Sequence, residues 1–153
     1  MRPLAAARLQ AGVVYRLHVK SDEVPTVYGL TFDFLATPDG AEGNDSQGSA
    51  YDLENLAIIS RLAGLSLHNA SDVDWFKFTL TQDGAAANKL ELVGFEPGPL
   101  PSLEILNPAG TVLKTSVGGV IQDLSALKKG QEYFLKVSGA AAERYAVDVA
   151  IGQ

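Results

Sequence analysis

The chain has 153 residues, 46% of them hydrophobic, which suits one folded domain with a substantial core. The formal net charge of −6 opposes binding to nucleic acid or to an anionic membrane surface, because both ligands require clustered lysine and arginine. The absence of cysteine excludes disulfides, thiol catalysis and thiolate metal sites, and no apolar run is long enough to span a bilayer.

The first segment, residues 1–35, resembles the end of the chain. Leu9, Gly12, Tyr15, Leu17 and Val19 occur with the same spacing as Leu127, Gly130, Tyr133, Leu135 and Val137. The alternating residues Tyr28, Leu30, Phe32 and Phe34 similarly match Tyr145, Val147, Val149 and Ile151. Repetition within a chain is typical of modular arrays. We therefore predict that residues 1–35 are the terminal strand pair of a preceding repeat.

Two strands with a single apolar face are marginally stable in water, so residues 1–35 need a cover. The cover in a longer parent protein would be a neighbouring module. In this chain, the pair could pack beside the complete module, or it could replace the chain's own last strands in a strand-swapped homodimer. It could also remain an exposed apolar surface.

Residues 36–49 contain Pro, Asp, Gly, Asn and Ser without an apolar period, which predicts a linker or a metal-binding loop. The complete module is predicted to span residues 40–153. Residues 50–62 fit either a short amphipathic helix or an extended segment. We favour extended structure with one helical turn near Tyr51.

Hydrophobic residues alternate with polar ones through most of the module. Phe76, Phe78 and Leu80 alternate with Lys77 and Thr79, and the longest such run ends the chain, from Tyr145 to Ile151. Turn-forming segments rich in Gly, Asp, Asn and Pro separate the runs. Many short strands at this spacing predict an all-β, antiparallel β-sandwich, preceded here by the extra N-terminal strand pair.

Two acidic clusters offer ligands for a hard cation. Glu42, Asn44 and Asp45 lie just before the strands of the module, and Asp72 and Asp74 lead into the aromatic strand. Calcium binds six to eight oxygen atoms from carboxylates, amides and the backbone. The alternative is that these side chains cap turns by accepting hydrogen bonds from nearby backbone amides, with Asp72 facing water.

Four segments in order resemble the bacterial pre-peptidase C-terminal domain family, over about residues 40–151. They are Glu42-Gly43-Asn44-Asp45, Ser71 to Phe78, Ile105 to Gly110, and Gly130 to Val137. The resemblance implies a jelly-roll-like β-sandwich, similar to the collagen-binding modules of collagenases. It also implies a non-catalytic accessory or spacer module of a secreted or cell-surface bacterial protein. In calcium-binding relatives the E-x-N-D loop and the acids before the aromatic strand hold the ion, which by position nominates Glu42, Asn44, Asp45, Asp72 and Asp74.

Trp75 falls on the opposite side of its strand from Phe76 and Phe78. One interpretation is an aromatic platform that binds a polysaccharide or a fibrous extracellular protein, which would make the chain a binding module. The other is that Trp75 covers the metal loop or the edge of the sandwich, as tryptophan often packs with one edge wet.

Catalysis has little support in the sequence. The two histidines are His18 and His68, and a Ser–His–Asp set could be assembled only from Ser66 or Ser71 with His68 and Asp72. Nothing resembles a nucleophile elbow or a glycine-rich oxyanion loop. We therefore predict that the chain is not an enzyme.

Overall fold

The computed structural model of the protein describes residues 39–69, 71–94, 101–139 and 143–151. These residues belong to one compact unit, Phe34–Gln153. The predicted strand pair of residues 1–35, its likeness to the last strands and the strand-swapped dimer lie outside the described residues.

The strands in this described part of the chain form two sheets. Their bounds are β1 Tyr51–Asn55, β2 Arg61–Leu67, β3 Val73–Thr79, β4 Lys89–Gly94, β5 Ser102–Leu106, β6 Val112–Thr115, β7 Val120–Gln122, β8 Tyr133–Ser138 and β9 Glu143–Ala150. One sheet has five strands in the order β1-β3-β8-β5-β6, and the other has four in the order β2-β9-β4-β7. Side chains from both sheets share one core, so the predicted all-β sandwich is confirmed.

Paired strands run antiparallel except β1 and β3, which are parallel with Tyr51 opposite Phe76. The register between β3 and β8 extends from the Val73–Ser138 pair to the Phe78–Tyr133 pair. Strand β3 is therefore paired with β8 along most of its length, and with β1 on its other side from Phe76 to Thr79. This matters for function because the acidic residues Asp72 and Asp74 lie at its beginning.

Alternate side chains of β3 face the space between the sheets. Phe76 and Phe78 are at most 1% exposed, whereas Trp75 and Lys77 are partly exposed on the outer face. The same alternation buries residues of both sheets, among them Leu90, Leu92, Leu103, Ile105, Leu135, Val137, Tyr145 and Val147. Burial of apolar area stabilises the fold by about 25 cal/mol per Å². Asp74 occupies an inward position of this same strand and is 0% exposed.

Helical structure in the described ranges is limited to two 3₁₀ turns, Gln47–Ser49 and Leu56–Ile58. The extended interpretation of residues 50–62 agrees with β1 and β2, and the amphipathic helix does not form there. The Asn55 side chain accepts a hydrogen bond from the Ala57 amide and caps the second turn, whose Leu56 is fully buried. None of the described helical segments has the length and hydropathy needed to cross a membrane.

The loop between β3 and β4 packs closely against the segment that precedes β8. The amide of Gly84 donates to the Leu127 carbonyl over 2.9 Å, and the amide of Leu124 donates to the Ala85 carbonyl over 3.1 Å. A Cβ atom on Gly84 would lie 2.0 Å from the Leu124 carbonyl oxygen. Only glycine fits at this position without movement of the backbone.

We predict that Gly84→Ala lowers the free energy of unfolding by about 1–3 kcal/mol, because the backbone near Leu124 must shift to admit a methyl group. Gly48→Ala is the matched control, since nothing lies within 4 Å of a Cβ atom placed there. Equilibrium urea denaturation followed by Trp75 fluorescence measures both variants. Equal stabilities of the two variants would contradict the close approach.

Candidate metal centre

The acidic loop that precedes β1 lies along the beginning of β3. The amide of Trp75 donates to the Asn44 carbonyl over 2.9 Å, and the Asn44 side-chain amide donates back to the Trp75 carbonyl over 3.2 Å. These two reciprocal hydrogen bonds resemble the pairing of neighbouring β-strands, and they place Asn44 beside β3, the strand that carries Asp74. Asn44 is 1% exposed as a result.

Asp39 anchors the same loop to β2. One of its carboxylate oxygens accepts a hydrogen bond from the Ala41 amide and the other accepts one from the Ser66 amide, each over 2.7 Å. Glu42 follows on this anchored loop, and its Oε1 atom accepts from the Asp39 amide over 3.3 Å. The sequence thus positions Glu42 through a turn that its neighbour Asp39 closes.

A tight turn between β2 and β3 supplies the next two side chains, His68 and Asp72. The Asp72 amide donates to the Asn69 carbonyl over 3.1 Å, and Asp72 Oδ2 accepts from the His68 amide over 2.6 Å. His68 Nδ1 lies 2.7 Å from Asp72 Oδ2 and 2.8 Å from Glu42 Oε1. Ligand atoms of Glu42, His68 and Asp72 all lie within 4.8 Å of one another.

The carboxyl group of Asp74 lies inside the sandwich, where the Tyr145 hydroxyl donates a short hydrogen bond to its Oδ2 atom. Because Tyr145 is on β9, this bond links the two sheets. Burial raises the pKa of Asp74 to about 7; the Tyr145 hydrogen bond opposes this shift, and the nearby charges of Asp39, Asp72 and Glu42 add to it. Burial likewise raises the pKa of Tyr145, and the Asp74 charge adds to the effect.

Three buried oxygen atoms of the site have no hydrogen-bond partner within the described residues. They are Asn44 Oδ1, Asp72 Oδ1 and Asp74 Oδ1, on residues that are 1%, 3% and 0% exposed. A buried polar atom without a partner costs about 1–3 kcal/mol, and a charged one costs more. All three atoms are acceptors, which a hydrogen-bond donor, a proton on a carboxylate or a cation would satisfy.

Of the five predicted ligand residues, Glu42 and Asp72 come together at His68, and Asn44 pairs with Trp75, the neighbour of Asp74 on β3. The fifth, Asp45, is exposed. The interpretation in which Asp72 faces water is wrong, because Asp72 is buried and bonded to the His68 amide. Capping and metal binding are compatible at Asp72, since the Oδ2 atom caps the turn and the Oδ1 atom has no partner.

Sequence reasoning assigned no metal role to His68 or Asp39. The spacing of four residues between His68 and Asp72 was the available signal, but it points to a shared site only once the intervening residues form a tight turn. Ser71 does not support the serine–histidine–aspartate alternative, because its hydroxyl donates to Asn69 Oδ1 over 2.7 Å.

Trp75 lies on the outer face of the five-stranded sheet, as the alternation predicted. Its ring contacts Phe134 edge-on with a centroid separation of 6.4 Å, and Lys136 Nζ lies 5.8 Å from the ring centroid. Phe134 is only 5% exposed, so these two rings do not form an exposed aromatic row. Binding of a polysaccharide or fibrous protein by Trp75 stays a prediction.

Comparisons with known proteins return no match for this chain, either among protein-family models or among curated proteins. The resemblance to the pre-peptidase C-terminal family therefore rests on the motifs described above.

We predict that, in a chelator, the wild-type protein loses stability relative to Asp74→Asn as the pH rises from 4 to 8. Folding raises the pKa of Asp74 from 3.8 to about 7, so the native state holds the proton more tightly between these values. The contribution of protonated Asp74 to the free energy of unfolding is fully present below the unfolded pKa. It is lost as the pH rises through the folded pKa, and the loss is on the order of 4 kcal/mol at most.

Urea denaturation of both proteins at several pH values measures this difference, because the neutral Asn side chain removes the titration at residue 74 and keeps an oxygen that can accept from Tyr145. Two stability curves that run parallel from pH 4 to pH 8 would show that Asp74 is not perturbed in this way.

Proposed function

We propose that this chain is a non-catalytic structural module of a secreted or cell-surface bacterial protein, stabilised by a calcium ion. Glu42, Asn44, Asp72 and Asp74 would hold the ion. The observation that carries the proposal is the set of three buried, unpartnered oxygen atoms on Asn44, Asp72 and Asp74. The resemblance to the pre-peptidase C-terminal family supports the location and the accessory role.

Calcium is the first candidate because the unpartnered atoms are all oxygens, from one amide and two carboxyl groups. Calcium accepts carboxylate and amide oxygens at about 2.3–2.6 Å in variable geometry. Glu42, which is partly exposed on its loop, can move towards the ion, whereas Asp74 is fixed by the core and by Tyr145. Such a site combines an anchored ligand with an adaptable one.

The ion would stabilise the module by connecting three parts of the chain. It would join the 39–46 loop, the turn between β2 and β3, and the beginning of β3. A ligand that binds only the folded state adds about 2.7 kcal/mol at a hundred times its dissociation constant. The loop precedes the first strand of the module, so its fixation would also stiffen any connection to a neighbouring module, which is the partner class we propose.

We predict that calcium raises the melting temperature of the wild-type protein above its value in a chelator, and that Asp72→Asn removes this shift. The substitution deletes a charge from a buried ligand while keeping its shape. Asp45→Asn is the matched control, because it makes the same change at an exposed residue of the acidic loop.

Differential scanning calorimetry with calcium and with chelator measures all three proteins. A wild-type melting temperature indifferent to calcium would refute the metal proposal. A shift retained in Asp72→Asn but lost in Asp45→Asn would refute the ligand set.

A further inference from the structure

The side chain of His68 distinguishes this site from an all-oxygen calcium site. Its Nδ1 atom lies between carboxylate oxygens of Glu42 and Asp72, at 2.8 and 2.7 Å. Although both distances are short, Nδ1 makes no hydrogen bond of suitable direction to either oxygen. A nitrogen atom and two carboxylate oxygens thus converge at ion-pair distance, an arrangement that a protonated His68 or a bound metal ion would satisfy.

We infer that Glu42, His68 and Asp72 form a binding site for a divalent transition metal ion of the zinc type, within the cation centre proposed above. The inference rests on that proposed function and specifies a second ligand class for it. Imidazole nitrogen suits zinc, iron and nickel, whereas calcium and magnesium prefer oxygen ligands. Three protein ligands with a fourth position left to water is a common arrangement for zinc.

The observed distances are short for a bound zinc ion, but they need only a modest change. Zinc lies about 2.0–2.1 Å from each ligand atom, which separates tetrahedral ligands by about 3.3 Å. The two contacts of His68 Nδ1 must therefore lengthen by about half an ångström. Glu42 can lengthen its own contact because its side chain is 20% exposed on a loop. Asp72 is held by the His68 amide, so the second contact lengthens through movement of the His68 ring, whose side chain is 26% exposed.

Asn69, which contacts the second ring nitrogen of His68, disfavours metal binding in its present orientation. Asn69 Oδ1 accepts hydrogen bonds from the Ser71 amide and hydroxyl, which turns the Asn69 amide nitrogen towards His68 Nε2, at 2.8 Å. A metal on Nδ1 leaves the ring proton on Nε2, where it would face this NH₂ donor. An acceptor at residue 69 would remove the conflict, because ligating histidines usually donate their other N–H to a carboxylate or carbonyl.

The test is isothermal titration of the untagged full chain with zinc chloride and, separately, with calcium chloride. His68→Phe keeps a ring of similar size without a ligand atom, and we expect it to weaken zinc binding at least about tenfold while calcium binding is retained. His18→Phe removes the only other histidine and controls for adventitious binding to imidazole. Asn69→Asp should strengthen zinc binding about tenfold or more, and calcium binding by less.

Nuclear magnetic resonance provides a second measurement, in which zinc should shift the imidazole signals of His68 and leave those of His18 unchanged. Zinc binding by His68→Phe within twofold of the wild-type affinity would overturn the inference, and the calcium-stabilised module would stand. Failure of the wild-type chain to bind either metal would overturn both proposals.

Discussion

The Asp74 carboxyl group lies between the two sheets of the sandwich, on a strand whose other inward side chains are aromatic. Removing a carboxylate from water is costly unless it is paired or protonated, and here Tyr145 supplies only one hydrogen bond. Asp39, Glu42 and Asp72 add negative charge around it. The local structure therefore needs either a proton or a cation, and the rest of the candidate site follows from that need.

The elements around Asp74 hold the acidic loop in place. The backbone of Asn44 pairs with Trp75, and Asp39 binds the amide of Ser66, so the acidic loop is fixed against both sheets before any ion arrives. Ligands held in place by other interactions lose less conformational entropy when they bind. In the absence of a cation, the same fixation keeps the charges of Asp39, Glu42 and Asp72 close to Asp74.

Much of the fold could be predicted from alternation alone. Phe76 and Phe78 identified β3 and its buried face, and the same period of two placed Trp75 outward. Alternation gives the face of a side chain but not the pairing of its strand. The parallel pairing of β1 with β3 depends on how the chain crosses between sheets, and no local pattern in residues 51–55 specifies it. The strand pair of residues 1–35 stays a prediction.

The candidate site was predictable where ligands lie on a strand or follow the family motif, as for Asn44 and Asp74. It was not predictable where a turn decides the geometry. His68 and Asp72 come together because Asn69 and Ser71 close a tight turn between them, and Asp39 acts through a contact with distant Ser66. The first contact depends on the shape of a local turn, which the four-residue spacing alone does not determine. The second is a tertiary contact, for which the sequence offers no distinct pattern.

The most direct test of the central claim is a crystal structure of the protein grown with calcium. The account predicts an ion about 2.3–2.6 Å from Asp72 Oδ1 and Asp74 Oδ1, with Asn44 Oδ1 also directed at it. A structure in which these three oxygens instead accept hydrogen bonds from protein donors or ordered water, with calcium present in the crystal, would contradict it.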